Sequence, residues 1–321
     1  MTKNRFIISV LTLVTVLLFR PESAAAKELN VLFIGNSYTA RHNLAQVVKS
    51  MAEAGNPGLN FKPTQIIYGG RTLRDHWNYG TQNYVKLHSL TLAEEKDTVA
   101  KLETMAKNPK DKYAKAALKR HQGFLKEFES MPKTKWDIVV LQSYRDDLNG
   151  DESLYAQYAP KFTELAKTQG AKVVLYVTTP TTQNAKPLTS KPDSKPVMAK
   201  TRSIAKLANR TGANAAPMAL IGHKCQTERP DLTLRFINDA HLNKVMAYLT
   251  ASTIYAAMFE KSPQGLPINS ITDIRYFKND KKHKDKDRDG NPITRKFSKK
   301  DRADLQRIAW EGFQEFQERR R

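Results

Sequence analysis

A single cysteine, Cys225, stands in a chain of 321 residues, which excludes an internal disulfide framework and any zinc site built on several cysteines. Acidic residues are scarce beside basic ones, 32 against 53, for a formal charge of +21. With 40% apolar and 26% charged residues, the composition excludes both a disordered polymer and a multi-span membrane protein. No internal repeat and no clean interdomain linker interrupts the chain. What is present is enough apolar material for a substantial core in one large domain or two modest ones. The excess of Lys and Arg suggests acidic partners: nucleic acid, anionic polysaccharide or an anionic membrane surface.

Residues 1–26 narrow that choice. Lys3 and Arg5 form a positive start, Ile7 to Phe19 is a largely apolar run of 13, and Ser23-Ala24-Ala25-Ala26 offers small-residue cleavage sites. This is the layout of a secretory signal peptide; as a retained anchor the run is short. The expected product is periplasmic or secreted, with no stable membrane anchor after cleavage. Removal of 1–26 leaves 50 basic and 31 acidic residues, so the basicity does not come from the targeting segment. Export disfavours nucleic acid as partner. So does the densest basic run, Lys281–Lys286, which contains no aromatic residue.

The remainder alternates strands and helices. Leu29–Ile34, Phe61–Tyr68, Trp136–Leu141 and Ala171–Val177 read as strands, and the small-residue run Ala213–Leu220 as a fifth. Helical spacing marks Leu44–Ala54, Leu154–Thr168, Val197–Asn209 and an amphipathic helix carrying Leu242, Val245, Met246, Leu249 and Ile254. Such alternation predicts an α/β three-layer sandwich around a parallel sheet, one domain over 27–321. Residues 83–130, charged and without strand signal, predict a helical insertion. Residues 275–300 predict a basic surface loop, and 301–321 a closing helix capped by Ser298.

Two segments carry chemical signals. Gly35-Asn36-Ser37 follows the first strand directly, where ligands bind in parallel α/β sheets, although Asn and Ser are also ordinary cap residues. Asn238-Asp239-Ala240-His241 precedes a helix, whose N-terminal dipole would keep His241 neutral and able to take a proton from serine. Arg235 and Asp239 could equally form a surface ion pair. Asp285-Lys-Asp-Arg-Asp-Gly290 matches the start of a calcium loop, but position twelve is Lys296 where a bidentate glutamate is needed. Calcium binding is therefore not expected.

These blocks, with Gly69-Gly-Arg-Thr-Leu-Arg-Asp-His-Trp77, Trp136–Ser143, Ala216-Pro-Met-Ala219 and Ser262-Pro-Gln-Gly-Leu266, resemble the SGNH (GDSL-like) hydrolase superfamily, in its secreted bacterial branch with a Gly-Asn-Ser first block. The resemblance implies a flavodoxin-like sandwich and an esterase that attacks through serine, with no cofactor. Mapped by position, it gives Ser37 as nucleophile, His241 as general base, and the Gly69-Gly70 pair, Gly70 favoured, as oxyanion donor. The family's third-block asparagine is replaced by Gln142, whose longer amide is the candidate third donor. The acid slot three residues before histidine holds Asn238, while Asp239 lies two before it. Either Asp239 reaches the ring through a non-helical turn, which we favour, or the site works as a dyad with Asn238 orienting the ring. Arg71 (with Arg74) is a candidate for an anionic substrate group, and Trp77 for stacking on a sugar.

The function expected is an exported serine esterase removing acyl groups, acetyl foremost, from a carbohydrate, with an anionic polysaccharide favoured by charge. The competing expectation is a non-catalytic carbohydrate-binding protein on the same scaffold.

Overall fold

The computed structural model describes residues 27–145, 147–273 and 285–321. The segment read as a signal peptide lies outside the described residues, as does part of 275–300. Strands β1 (Lys27–Gly35), β2 (Leu59–Ile67), β3 (Ile138–Gln142), β4 (Lys172–Val177) and β5 (Asn214–Pro217) form one sheet in the order β2-β1-β3-β4-β5. Every pairing in it is parallel. Two short antiparallel hairpins, β6 (Arg235–Phe236) with β7 (Asp239–Leu242) and β8 (Ser270–Thr272) with β9 (Thr294–Lys296), stand apart from it.

The helices are α1 (Ser37–Ala40), α2 (Leu44–Gly55), α3 (Leu73–Asn78), α4 (Thr81–Val85), α5 (Leu92–Ala106), α6 (Lys112–Lys126), α7 (Leu154–Thr168), α8 (Lys195–Thr211), α9 (Met218–Glu228), α10 (Lys244–Phe259) and α11 (Lys299–Arg319). Successive residues of a strand face opposite sides, so a strand covered on both faces is apolar throughout. On β1, Val31 and Phe33 join a core with α2, α9, α10 and α11. Leu32 and Ile34 join a second core with α3, α7, α8 and the α5–α6 pair. Full burial of each large apolar side chain contributes about 1.5–3 kcal/mol relative to exposure. The result is the expected flavodoxin-like three-layer sandwich. Because the chain steps one way from β1 to β2 and the other way from β3 onward, the crevice beyond the carboxyl ends of β1 and β3 is the switch point of the sheet, where ligands bind.

Local differences from the sequence reading have physical causes. The run Ala213–Leu220 is a strand only to Pro217; from Met218 it is helix α9, and the apolar side chains serve either state. Helix α10 is not amphipathic: from Lys244 to Met258 every residue is buried, because the sheet, α2 and α11 cover it on all sides. Residues 285–300 are not a free surface loop. Strand β9 pairs with β8, and Asp287 and Phe297 are buried. Within 83–130 the helical reading fits α5 and α6, which are joined by a buried contact of His121 Nδ1 with Glu95 at 2.7 Å. Ser298 caps α11, its Oγ accepting from Asp301 N at 3.0 Å.

Candidate active site

The first strand ends at Gly35 because nothing larger fits. A Cβ there would lie 2.3 Å from Thr39 Oγ1 and 2.6 Å from Gln142 Oε1. Asn36 follows, fully buried and extended, as the cap of α1, with its Oδ1 accepting from Tyr38 N at 3.1 Å. Its Nδ2 donates to the carbonyls of Arg71 and Ser143, both at 3.0 Å, and its own N–H donates to Gln142 Oε1 at 2.8 Å. Asn36 therefore ties the end of β1 to the glycine turn after β2 and to the end of β3. His76, also fully buried, places Nε2 2.9 Å from the Gly35 carbonyl and Nδ1 3.1 Å from Thr81 Oγ1. Burial pulls His76 down to about 4, so it is neutral and Nε2–H is the donor.

This scaffold delivers Ser37 at the first turn of α1. His241 arrives from the other side on β7, not at the helix start; the cap of α10 is Asn243. Ser37 Oγ and His241 Nε2 are 2.7 Å apart. His241 Nδ1 lies 2.5 Å from Asp239 Oδ1, which also accepts the His241 N–H at 2.9 Å. The spacing of two works because β7 is extended, and side chains two apart on a strand share a face. Nδ1–H donates to the carboxylate, which leaves the Nε2 lone pair for the Ser37 hydroxyl. Asn238 is exposed in the β6–β7 turn and makes no hydrogen bond with His241 among the described contacts.

His241 is neutral at pH 7. Burial pulls it down to about 4, Arg41 and Arg145 push the same way, and Asp273 opposes them. The expected cause, the helix dipole, is replaced by burial between α1 and the hairpin. Tyr38 stacks on the imidazole, centroids 4.9 Å apart, while its hydroxyl donates to the Ala240 carbonyl at 2.9 Å. Behind β7, His42 Nε2 meets the Leu242 carbonyl at 2.8 Å, and Arg41 pairs with buried Asp273 at 2.5 Å. His42 and Asn43 have φ of 59° and 49°, a region that side chains rarely adopt and that is held here by these contacts.

Among the described hydrogen bonds, neither the N–H of Ser37, which opens α1, nor that of Gly70 has an acceptor. Gly70 has φ +69°, and a Cβ on it would meet nothing within 4 Å, so space is open beside its turn. Gly69 is tighter, with Tyr113 Oη 3.0 Å from a would-be Cβ.

The structure gives protein partners to four residues that the sequence singled out. Gln142 is fully buried, its Oε1 accepting from Asn36 N and Thr39 Oγ1 and its Nε2 donating to the Ser143 carbonyl, so its amide braces the nucleophile turn. Trp77 packs edge-on against Phe162 of α7 at 5.1 Å, with Lys161 over its face. These contacts fix it in the helix layer while leaving it partly exposed. Arg71 lies over the Tyr113 ring at 4.7 Å. Arg235 does not pair with Asp239: its Nε donates to the Gln183 carbonyl at 2.9 Å, and Arg288 holds Asp239 Oδ2. Sequence reasoning missed Tyr38 and Arg288 as site residues. Tyr38 sits inside the quoted first block, whereas Arg288 carries no local signal.

No protein-family model matches the chain, and no curated protein does. Among solved structures, a DUF4886 family protein from Bacteroides uniformis aligns over 90% of this chain and 95% of its own, with TM-score 0.52 and 14% identity. A candidate SGNH hydrolase from Slackia heliotrinireducens aligns over 72% of this chain and 100% of its own, with TM-score 0.43 and 16% identity. A gut microbial diltiazem-metabolizing enzyme aligns over 73% of this chain and 47% of its own, with TM-score 0.34 and 13% identity. The chain is similar in fold to the Bacteroides uniformis protein.

Proposed function

We propose that the chain is an exported serine esterase that removes acyl groups, acetyl foremost, from a carbohydrate. The observation that carries the reading is the continuous contact from Ser37 Oγ through both imidazole nitrogens of His241 to Asp239. In the proposed reaction His241 Nε2 takes the Ser37 proton as Oγ attacks the ester carbonyl. The N–H groups of Ser37 and Gly70 hold the oxyanion, and such preorganised donors are worth about 10²–10³ in rate each. As the bond to the sugar oxygen breaks, His241 gives that oxygen the proton, releasing the sugar as its alcohol, then activates water to release the acyl group from Ser37. Asp239 fixes the tautomer throughout. Arg145, whose charge acts on His241, and the excess of basic over acidic residues that persists without residues 1–26 favour an anionic glycan.

A fluorophosphonate probe is expected to label the protein at Ser37, and acetate release from acetylated xylan or glucose pentaacetate to be blocked by that label. Absence of labelling would support the second reading, a non-catalytic glycan binder. What favours that alternative is Gln142, whose amide is engaged behind Ser37 and unable to act as third oxyanion donor.

Catalysis needs neutral His241, so its pH dependence follows from the low value of that residue. Activity is present above the folded-state pKa and is lost as pH falls through it. We expect kcat/KM for p-nitrophenyl acetate to hold steady from neutral pH down to about 5, with its acid midpoint near 4 rather than the ordinary 6.5. A midpoint at 6 or above in the pH–rate profile would contradict the buried, cation-flanked environment described for the ring.

A further inference from the structure

In the segment Asp285-Lys-Asp-Arg-Asp-Gly-Asn291, which matches the start of a calcium loop, the carboxylates of Asp287 and Asp289 are engaged by protein donors. Asp287 Oδ1 accepts the N–H groups of Asp289 at 3.0 Å and Asn291 at 2.9 Å, closing a tight turn in which Gly290 takes φ +79°. The other oxygen of Asp287 pairs with the Lys244 ammonium, and both side chains are buried. Asp289 accepts the Ile237 N–H, at 3.1 and 3.2 Å to its two oxygens. Between them, the Arg288 guanidinium pairs through Nη1 with Asp239 Oδ2. The turn thus grips the β6–β7 hairpin before, at and after the segment that carries His241.

We propose that Arg288 is a positioning residue for the Ser37–His241–Asp239 relay: it holds the outer oxygen of Asp239 so that the inner one faces His241 Nδ1, and it sets how much negative charge the imidazole feels. The inference rests on the esterase reading. The Asp239 side chain is only 9% exposed, so without Arg288 its outer oxygen would be left without an ionic partner in a poorly hydrated place. With Arg288 present, the carboxylate is held at both oxygens and cannot turn away from the ring. Arg288 is lowered to about 10 by burial and stays cationic at neutral pH. Its charge offsets that of Asp239, which weakens the pull of Asp239 on a proton at the ring.

Other charged and titratable groups surround His241: Arg41 and His42 from the turn after α1, Arg145 beyond β3, Asp273 beyond β8, Lys244 at the start of α10, and Asp287 and Asp289 beside Arg288. Replacing Arg288 alone leaves all of these in place. The test is the titration of the His241 imidazole by NMR in the full chain, alongside the pH profile of kcat/KM with p-nitrophenyl acetate. In Arg288→Gln the His241 midpoint is expected to rise by at least about one pH unit, because Asp239 is no longer neutralised. In Arg288→Lys, which keeps the charge, it should stay within about 0.3 unit while kcat falls through poorer alignment of the carboxylate. Asp289→Asn, which weakens a loop anchor but keeps the Arg288–Asp239 pair, controls for simple loosening and should leave the midpoint in place. An unchanged midpoint in Arg288→Gln would overturn the proposal, as would an equal rise in Asp289→Asn. The imidazole titration reads the pair even in a protein without turnover, so failure of the esterase reading and failure of this one are distinguishable.

Discussion

Ser37→Ala and His241→Ala are each expected to lower kcat/KM for p-nitrophenyl acetate by at least about 10⁴-fold, with the double variant no slower than either single one. The two side chains lie 2.7 Å apart and act on one proton, so removing either leaves nothing for the other to do. A loss of 10⁴ corresponds to about 5.5 kcal/mol of transition-state stabilisation. That is more than one neutral hydrogen bond supplies and is of the size expected when a nucleophile is lost. Both side chains are partly exposed and neither fills a core, so both variants should keep the wild-type melting transition. Single variants that retain a tenth of the rate, or losses that multiply in the double variant, would mean that the two residues do not work as one unit.

Asp239→Asn should cost about 10⁴ in kcat, and Asn238→Asp should change it by less than about threefold. The asymmetry comes from the extended backbone of β7. It brings Asp239 Oδ1 to 2.5 Å from His241 Nδ1, while Asn238 sits exposed in the preceding turn. An asparagine at 239 can present its amide N–H to the ring and favour the wrong tautomer, with the lone pair on Nδ1 and the hydrogen facing Ser37. A new carboxylate at 238 adds only a solvated charge, screened over the Debye length of about 10 Å at ordinary salt. A large gain from Asn238→Asp would show that the turn rearranges in solution and that the acid is supplied from the other position. Steady-state kinetics of the two variants side by side decides the matter.

What could be read from the residues was whatever local order encodes. The apolar strands and their alternation with helices fixed the layered fold, since burial on both faces leaves an unbroken apolar run. Ser37 was visible because it follows β1 directly, and His241 because it opens a block before a long helix. Contacts between distant segments were not visible. Gln142 looks like a donor when read along the chain, yet Asn36 and Thr39 claim its amide from another strand. Trp77 stands alone when read along the chain, yet Phe162 of α7 packs edge-on against it. Arg288 sits in a run of charges indistinguishable from a solvated loop, and only the fold brings it to Asp239. The family's spacing of three between acid and histidine suits a helical turn, whereas Asp239 and His241 lie two apart on the extended β7.

The complete enclosure of α10 bears on when this protein can fold. Its outer flank is roofed by α11, so a nascent chain that has not yet released the residues beyond 299 cannot shelter α10 from water. Such a precursor would be sticky rather than native, and a natural client for holding chaperones. Maturation of the nucleophile turn, built near the start of the described chain, must then wait for a helix that begins at Lys299, 262 residues after Ser37.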